Sequence, residues 1–510
     1  MMASSLGRAF GQIGILTAGS RVLGLGRDIV FAIFLGAGPA ADAFLVALKL
    51  PNMFRRLSAE GALTNAFVPS YAATMEAADE KATRRLAGEV QTMLVMVLLA
   101  LVIVFEIMMP VVVSLLAPGF VDTPERFAAA VDLARVTMPY LPMISLVAFW
   151  AAIANAHDRF IPGAAMPVLF NICLIAGALL VPLATGLTNV ERALPIAWAL
   201  LAAGSVQLVT MYLVLHRRGI LPDFVMSLRV SSRARQMWRK FIPAAGGALA
   251  MQMNLIVDLV LASMLQVGAI SWLYYADRVA QLPLGIVGIA LGTALLPRLS
   301  KAEAAGHPDA VRSALTEAME LGGFLVVPAV AALLVLALPI VQGLFAHGAF
   351  TLADAQMASF ALMAYAIGLP GFVLVKILQP AFYAAGQPGL VLRISLVMVA
   401  VNIVGSLLLM GPFGHTGLAM ATAASGLLAA VIMLVILAQR DRLGTAMLRP
   451  LARILLASLI MVLALSGLTM WLPFDNPVLR LALYVGGGSV VYFGAAILLR
   501  AVPSGLFRRR

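Results

Sequence analysis

Apolar runs of about twenty residues follow one another along the whole chain, separated by short polar stretches, and a helix of that length crosses roughly 30 Å of hydrocarbon. About fourteen such spans are read from the pattern. They fall near residues 9–36, 39–72, 88–116, 128–154, 162–184, 193–216, 241–266, 271–299, 313–345, 353–384, 388–411, 416–438, 451–472 and 478–501. The pattern predicts an all-α integral membrane protein. The second span is too long for a simple crossing. Pro51 is expected to break or kink it, because proline lacks the N–H that continues the helical ladder. Pro283 and Pro370 are expected to do the same in their spans.

Composition supports this class. Of 510 residues, 62% are hydrophobic and 11% charged, against about 25% charged in soluble domains. The net charge of +12 would suit a nucleic-acid partner, but its placement argues for membrane topology instead. Lys81, Arg84 and Arg85 fall in one loop. Arg217, Arg218, Arg229, Arg233, Arg235, Arg239 and Lys240 fall in another. Arg298, Lys301 and Arg312, then Arg440, Arg442, Arg449 and Arg453, mark two more. The alternate loops hold little beyond Arg126, Arg192 and Arg480. The positive-inside rule then places both termini in the cytoplasm.

The N-terminal stretch reads as an uncleaved first helix. The segment 229–240, with Met237 and Trp238, reads either as a helix on the membrane surface or as a solvated basic loop. The lone Cys173 lies in an apolar span, so no disulfide framework or cysteine metal site is implied. The five histidines are scattered and offer no metal-ligand spacing. No glycine-rich phosphate loop is present, and no paired carboxylates or Ser/His/Asp set is recognisable, so no enzyme is indicated.

The chain also repeats itself. DIVFAIFLGAG at 28–38 is similar to DLVLASMLQVG at 258–268. FVPSYA at 67–72 is similar to LLPRLS at 295–300, and MPVVVSLLAPG at 109–119 to LPIVQGLFAHG at 338–348. Three matches in order at an offset of about 230 residues indicate duplication. The expected organisation is a six-helix half over 1–220, a basic linker over 221–240, a second six-helix half over 241–440, and two added spans over 441–510. Six spans per half is an even number, so the halves are expected to be parallel and related by a pseudo-two-fold axis along the membrane normal.

The charges inside the spans are the candidate chemistry. Residues 20–70 carry Arg21, Arg27, Asp28, Asp42, Lys49, Arg55, Arg56 and Glu60. Each costs about 2.5–3.5 kcal/mol in the middle of a membrane helix, so they are expected to face protein or water. Asp42, Lys49, Arg56 and Glu60 fall on one helical stripe, and Arg21, Gly24 and Asp28 on another. Gly24 and Gly26 would allow close backbone approach. The eighth span adds Asp277, Arg278 and Gln281. Two readings stand. One is a polar cavity between the halves whose arginines grip an anion, since guanidinium forks match phosphate oxygens and stay charged when buried. The other is a closed ion-pair network, since the acids nearly balance the bases. Glu106 reads as a structural residue near a span end, and Trp272, Tyr274 and Tyr275 as an interfacial aromatic belt.

SRVLGLGRD at 20–28, ADAFLVALKLPNMFRRLSAEGALTNAFVP at 41–69 and SWLYYADRVAQLPLGIVGIALGTALLP at 271–297 closely resemble the MurJ (MviN) family. These are lipid II flippases of the multidrug/oligosaccharidyl-lipid/polysaccharide exporter superfamily. The resemblance covers essentially the whole chain, including the two added spans. It implies transport of undecaprenyl-pyrophosphate disaccharide-pentapeptide from the inner to the outer leaflet of a bacterial cytoplasmic membrane, by alternating access around a cationic cavity. Arg21, Arg27, Asp42, Arg55, Asp277 and Arg278 match the family's essential charged positions. Arg27, Arg55 and Arg278 match the arginines that engage the pyrophosphate. The added spans match those that form a groove for the polyprenyl tail. A chloride in the cavity and a sodium in the second half are further implied, without assigned ligands. Lipid II, membrane lipids and the wall-synthesis and division machinery are the implied partners, with no nucleic acid. The alternatives are a flippase for another lipid-linked oligosaccharide, a drug antiporter of the same superfamily, a membrane scaffold for wall-synthesis enzymes, or a lipid-pyrophosphate enzyme.

Overall fold

The computed structural model describes residues 2–503 other than 59–61, 78–79, 185, 187, 226–230, 445–447 and 472–475. The described residues form helices and the turns that join them, so the all-α expectation holds. Among the described residues ten helical stretches are long and apolar enough to cross a membrane, fewer than the roughly fourteen spans expected. By contact the chain divides into two compact units, Met1–Gly268 and Ala269–Arg510.

The first unit contains α1 (Met2–Leu35), α2 (Pro39–Ser58), α3 (Ala62–Glu76), α4 (Glu80–Leu116), α5 (Pro124–Thr137), α6 (Tyr140–Ala156), α7 (Ile161–Leu179), α8 (Leu194–Arg217) and α9 (Ser232–Ser263). Here α1 packs on α7, α2 on α5, and α8 on α6 and α7. The segment from Ser232 neither lies apart as a surface helix nor forms a solvated loop. It is the start of α9, capped by the Ser231 hydroxyl accepting from Ala234 N–H. Met237 and Trp238 are buried, and α9 packs on α2, α3 and α4.

The chain between α8 and α9 is fastened along one face of α4. Arg84 Nη2 donates to Gly219 O at 3.1 Å, Val225 N–H to Thr92 Oγ1 at 3.1 Å, and Ser231 N–H to Glu89 Oε2 at 3.0 Å. A Cβ at Gly88 would stand 2.4 Å from Asp223 O. Arg84, Gly88 and Thr92 recur every four residues, so this track is one stripe of α4.

The second unit contains α10 (Ala269–Pro283), α11 (Ile289–Ala304), α12 (Pro308–Val335), α13 (Ala337–Phe345), α14 (Leu352–Ala384), α15 (Pro388–Gln439), α16 (Leu448–Trp471) and α17 (Pro477–Leu498). Several starts follow from local chemistry. Thr351 and Asp354 form a capping box for α14, and the Asn476 carboxamide accepts from Val478 and Leu479 N–H ahead of α17, satisfying donors that a helix start leaves open. α15 is two arms rather than one rod. Gly414 leaves helical geometry (φ 55°, ψ −134°), and Asn402 Nδ2 donates 2.9 Å to Thr422 Oγ1 across the resulting hairpin. This matches the two spans expected on either side of residues 412–415.

Two of the three pairs of matched sequence segments lie in similar local structure, although the turn glycines of the first pair, Gly36 and Gly268, are offset by two positions in the match. The segment 28–38 ends α1 at Gly36 (φ 66°), and 258–268 ends after α9 at Gly268 (φ 95°). Both glycines hold a left-handed conformation that side chains disfavour, and each is followed by the next helix. Pro69 and Pro297 both lie inside helices, α3 and α11.

Three expectations are corrected here. Pro51 does not break its helix, because α2 continues to Ser58. Proline at 51 deprives Ala47 O of its helical donor, and Thr137 of α5 supplies a replacement. Its hydroxyl lies 3.2 Å from Ala47 O, sharing one proton with Ala134 O at 3.2 Å. Pro370 likewise lies inside α14. Pro283 does end α10, and a π-helical turn over Leu284–Gly288 follows. Trp272 and Tyr275 form no outward belt but are buried. Trp272 Nε1 donates 2.9 Å to Asp354 Oδ1, and Tyr275 packs against Phe345 and Phe350. Glu106 lies well inside α4, short of the end at Leu116 by more than two helical turns.

The repair of Pro51 is testable. Thr137→Val should leave Ala47 O buried without its substitute donor and lower stability by about 1–3 kcal/mol. Thr137→Ser should retain most of it. Denaturation of the detergent-solubilised protein reads both, and equal stability of Thr137→Val and wild type would remove this role.

Candidate functional site

Two charged clusters are built inside the first unit. In the first, Arg27 and Asp28 of α1 are both buried. Arg27 Nε and Nη2 donate to Asp28 Oδ1 at 3.0 and 2.6 Å. Nη1 donates to Asn171 Oδ1 of α7 at 3.1 Å. Asn171 Nδ2 in turn donates 3.0 Å to Ser20 O, which settles the amide's orientation, since only one nitrogen can face a carbonyl. The guanidinium carbon lies 5.6 Å from the Phe31 ring and 5.7 Å from the Phe170 ring, within the range of cation–π attraction. Arg27 is thus held in place by a charge, an amide and two rings. A Cβ at Gly24 would meet Asn171 at 3.7 Å, an ordinary contact, and Gly26 has nothing within 4 Å. The close backbone approach expected at these glycines is therefore absent.

The second cluster centres on Asp42, 0% exposed in the first turn of α2. Its Oδ2 accepts from Arg126 Nη2 at 2.6 Å and from Gly268 N–H at 2.7 Å. A carboxylate there also meets the positive end of the α2 dipole. Arg126 lies 3.7 Å above the Phe120 ring. It is no loop cation, as its sequence position suggested. It belongs to the first turn of α5 and is 3% exposed, drawn inward by the buried carboxylate of Asp42, whose charge it balances.

In the second unit, Asp277 and Arg278 are half-buried on α10. Arg278 Nη2 donates 3.2 Å to Tyr274 OH, with its guanidinium 4.8 Å from that ring. Gln281 donates from Nε2 to Asp277 Oδ2. Arg21 and Lys49 are exposed. Arg55 and Arg56 belong to α2, with side chains outside the described residues, and Glu60 lies outside them entirely. The stripe read through Asp42, Lys49, Arg56 and Glu60 therefore resolves into a buried acid facing α5 and an exposed lysine.

Sequence reasoning passed over Asn171, Arg126, Gly268 and Tyr274. Asn171 carried a signal, a lone amide in the apolar run PVLFNICLIAG. Gly268 carried none, because its contribution is a backbone N–H.

Two cavities accompany these clusters. One of about 260 Å³ lies in the second unit between α12, α13, α16 and α17, walled by residues such as Pro328, Ala332, Leu465 and Gly488. One of about 210 Å³ lies in the first unit beside Tyr71, Arg84, His157 and Ile220. There Tyr71 OH and His157 Nε2 are 3.1 Å apart. Burial holds the His157 imidazole below its usual pKa, opposed by Asp158, so it stays neutral at pH 7. Among the described residues no three His, Cys, Asp or Glu side chains gather as a metal site.

The buried pair gives a sharp test. Asp42→Asn should destabilise by about 3–5 kcal/mol by leaving Arg126 uncompensated. The double variant Asp42→Asn/Arg126→Leu should recover part of that loss. Denaturation across the full cycle measures the coupling, and simple additivity would dissolve the pair.

Comparison with known proteins gives consistent matches. The family model described as lipid II flippase MurJ matches residues 31–476. The chain is 36% identical over 516 residues to a probable lipid II flippase MurJ of Rhizobium meliloti (strain 1021), covering 99% of this chain and 96% of that protein. A probable lipid II flippase MurJ of Rickettsia prowazekii (strain Madrid E) is 33% identical, covering 80% of this chain and 79% of its own length. Among solved structures, a lipid II flippase MurJ in an inward closed conformation superposes with a TM-score of 0.81 at 23% identity, covering 96% of this chain and 98% of its own. An inward-facing multidrug resistance MATE family transporter of the MOP superfamily gives 0.68 at 15% identity, over 82% of this chain and 94% of its own.

Proposed function

The chain belongs to the lipid II flippase MurJ family, and from that premise we propose that it carries lipid II from the inner to the outer leaflet of a bacterial cytoplasmic membrane. The observation that carries this reading is the family match over residues 31–476, joined to 36% identity across nearly the full length of a relative of that name. The substrate leaves chemically unchanged, so the chain acts as a transporter rather than a catalyst.

Physical chemistry supports the reading. A pyrophosphate entering hydrocarbon must exchange water for fixed donors, because a bare charge there costs far more than transport can absorb. Arg27, Arg55 and Arg278 are the proposed pyrophosphate ligands, with Arg21, Lys49 and Arg56 adding positive potential and Asp28, Asp42, Glu60 and Asp277 setting the charge balance. Asp28, Asn171 and two rings hold Arg27 in advance, which lowers the cost of ordering it on binding. The apolar cavity of the second unit suits the polyprenyl tail, since branched hydrocarbon gains from dry, apolar walls. A chloride would find donors in these arginines. A sodium ion would have to rely largely on carbonyl, amide and hydroxyl oxygens, given the lack of a carboxylate cluster among the described residues.

The arginines test the site. Arg27→Ala and Arg278→Ala should nearly abolish lipid II transport at normal protein levels and weaken lipid II binding by about 1.5–3 kcal/mol per lost charge-assisted bond. Lysine at Arg55 or Arg278 keeps the charge but loses the planar fork, and should be impaired less. Wild-type affinity in well-folded alanine variants would move headgroup recognition elsewhere.

The orientation is tested separately. We place both termini in the cytoplasm. In a Cys173→Ser background, a cysteine at Asn189 should react with an impermeant thiol reagent on intact cells, and one at Ser313 should be shielded. The reverse pattern would invert the topology.

A further inference from the structure

The cavity of about 210 Å³ in the first unit takes no part in the transport reading. Four stretches of chain build it. α4 supplies Glu80, Thr83, Arg84 and Ala87 from one helical face. Tyr71 comes from the second half of α3, and His157 from the C-cap of α6. The last wall is the chain after α8. Gly219 takes a left-handed turn there (φ 66°), and Ile220 N–H bonds back to Leu215 O at 3.1 Å. Ile220, Leu221 and Pro222 then line the cavity, held there by the Arg84 bond to Gly219 O.

The polar groups of this cavity have unused bonding capacity. Arg84 Nη2 and Glu80 Oε1 meet at 3.1 Å, and both side chains are well exposed. Such a pair one turn apart on a helix surface contributes little to stability, so a ligand can displace it at small cost. Arg84 Nε and Nη1 and Glu80 Oε2 bond to no described residue. Tyr71 OH and His157 Nε2 are joined at 3.1 Å. Whichever of the two donates, the phenol oxygen keeps a lone pair for a ligand. Met75, Ala87, Ile220, Leu221 and Pro222 add apolar wall. A cation, an anion and a neutral acceptor over apolar walls match a zwitterion, with a phosphate at the guanidinium and a primary ammonium at the carboxylate. A lone anion would have to sit against Glu80, and a lone cation against Arg84.

The position of the cavity in the fold names the source of that zwitterion. On α4 the lining residues stand just before the apolar run that begins at Met93. Phe224, two residues beyond Pro222, is exposed, as is Ile161 at the start of α7. Exposed aromatic and aliphatic side chains beside basic residues suit the layer between hydrocarbon and water. A cavity of about 150 Å³ holds benzene, so this larger one admits a phosphoethanolamine group. A choline group is bulkier and brings no N–H donor, and a glycerol group brings no charge for Glu80.

We infer that this cavity binds the headgroup of an ethanolamine phospholipid. Arg84 takes the phosphate diester, Glu80 and the Tyr71 oxygen take the ammonium, and Met75, Ile220 and Leu221 meet the intervening carbons. The site lies within the first unit and uses none of the proposed pyrophosphate ligands.

Native mass spectrometry of the full chain in detergent tests this, with phosphatidylethanolamine, phosphatidylglycerol and phosphatidylcholine of matched acyl chains. The wild type should bind the ethanolamine lipid about tenfold more tightly than the other two, the worth of one charge-assisted hydrogen bond. Glu80→Gln changes an exposed side chain at almost constant shape. It should erase the preference over phosphatidylglycerol. Arg84→Ala should weaken all three lipids. A diazirine-bearing phosphatidylethanolamine should crosslink to peptides spanning 71–87 or 219–222. Glycerophosphoethanolamine, the same zwitterion without acyl chains, should compete only at far higher concentration. Equal retention of the three lipids, a preference that survives Glu80→Gln, or crosslinks confined to other peptides would overturn the site. Soluble zwitterion binding as tightly as the lipid would overturn the phospholipid assignment. Glu80→Gln remains decisive even where Arg84→Ala loosens the wall at Gly219.

Discussion

Burying charge where water is scarce is the constraint on which this fold depends. Hydrocarbon offers neither hydration nor counterions, so each ionisable group within a span must bring its partner or change its protonation. The Asp42–Arg126 contact meets that demand most completely. One carboxylate oxygen receives a guanidinium and a backbone N–H, and the guanidinium lies over an aromatic ring. Through it α2, α5 and the end of α9 share one point of attachment. Arg27 follows the same logic with a different outcome. Its partner is adjacent in sequence, and the amide that completes the set arrives from a distant helix.

Backbone groups obey the same rule. Proline inside a membrane helix strips a carbonyl of its donor, and the fold answers in different ways. At Pro51 a hydroxyl from α5 restores the bond, and α2 continues to Ser58. At Pro283 the α-helix gives way to a wider, π-helical turn. At Pro110 the freed carbonyl belongs to Glu106. Helices interrupted by proline are tolerated in membranes only when such substitutes are at hand.

Much of this was legible in the sequence. The all-helical class and several boundaries follow from apolar run length, whereas the count of about fourteen spans does not. Ten stretches among the described residues are long and apolar enough to cross, and the expected spans 39–72 and 128–154 each resolve into two helices. The charged residues of 20–60 were correctly singled out as protein-facing in the cases of Arg27, Asp28 and Asp42. Their partners were not legible. Arg126 sits where a loop cation would sit, and only packing draws it inward. Asn171 is separated from Arg27 by 144 positions, and no periodicity links α1 to α7. Trp272 and Tyr275 have the composition of an interfacial belt, yet the contacts of α10 with α14 place them inside. Residue type tells what a side chain needs, whereas the supplier is a matter of tertiary arrangement.

The membership of α9 in the first unit bears on how the chain is made. Synthesis runs from the N-terminus, and Asp42 meets Arg126 only 84 positions later, then Gly268 after 226. At 5–20 residues per second the second wait lasts roughly ten to forty-five seconds. The linker bonds to α4 likewise join residues more than 130 positions apart. The first six spans therefore leave the translocation channel as an unfinished body, with Asp42 half-satisfied and the face of α4 uncovered. That body closes only when the seventh span is inserted and the chain reaches Gly268.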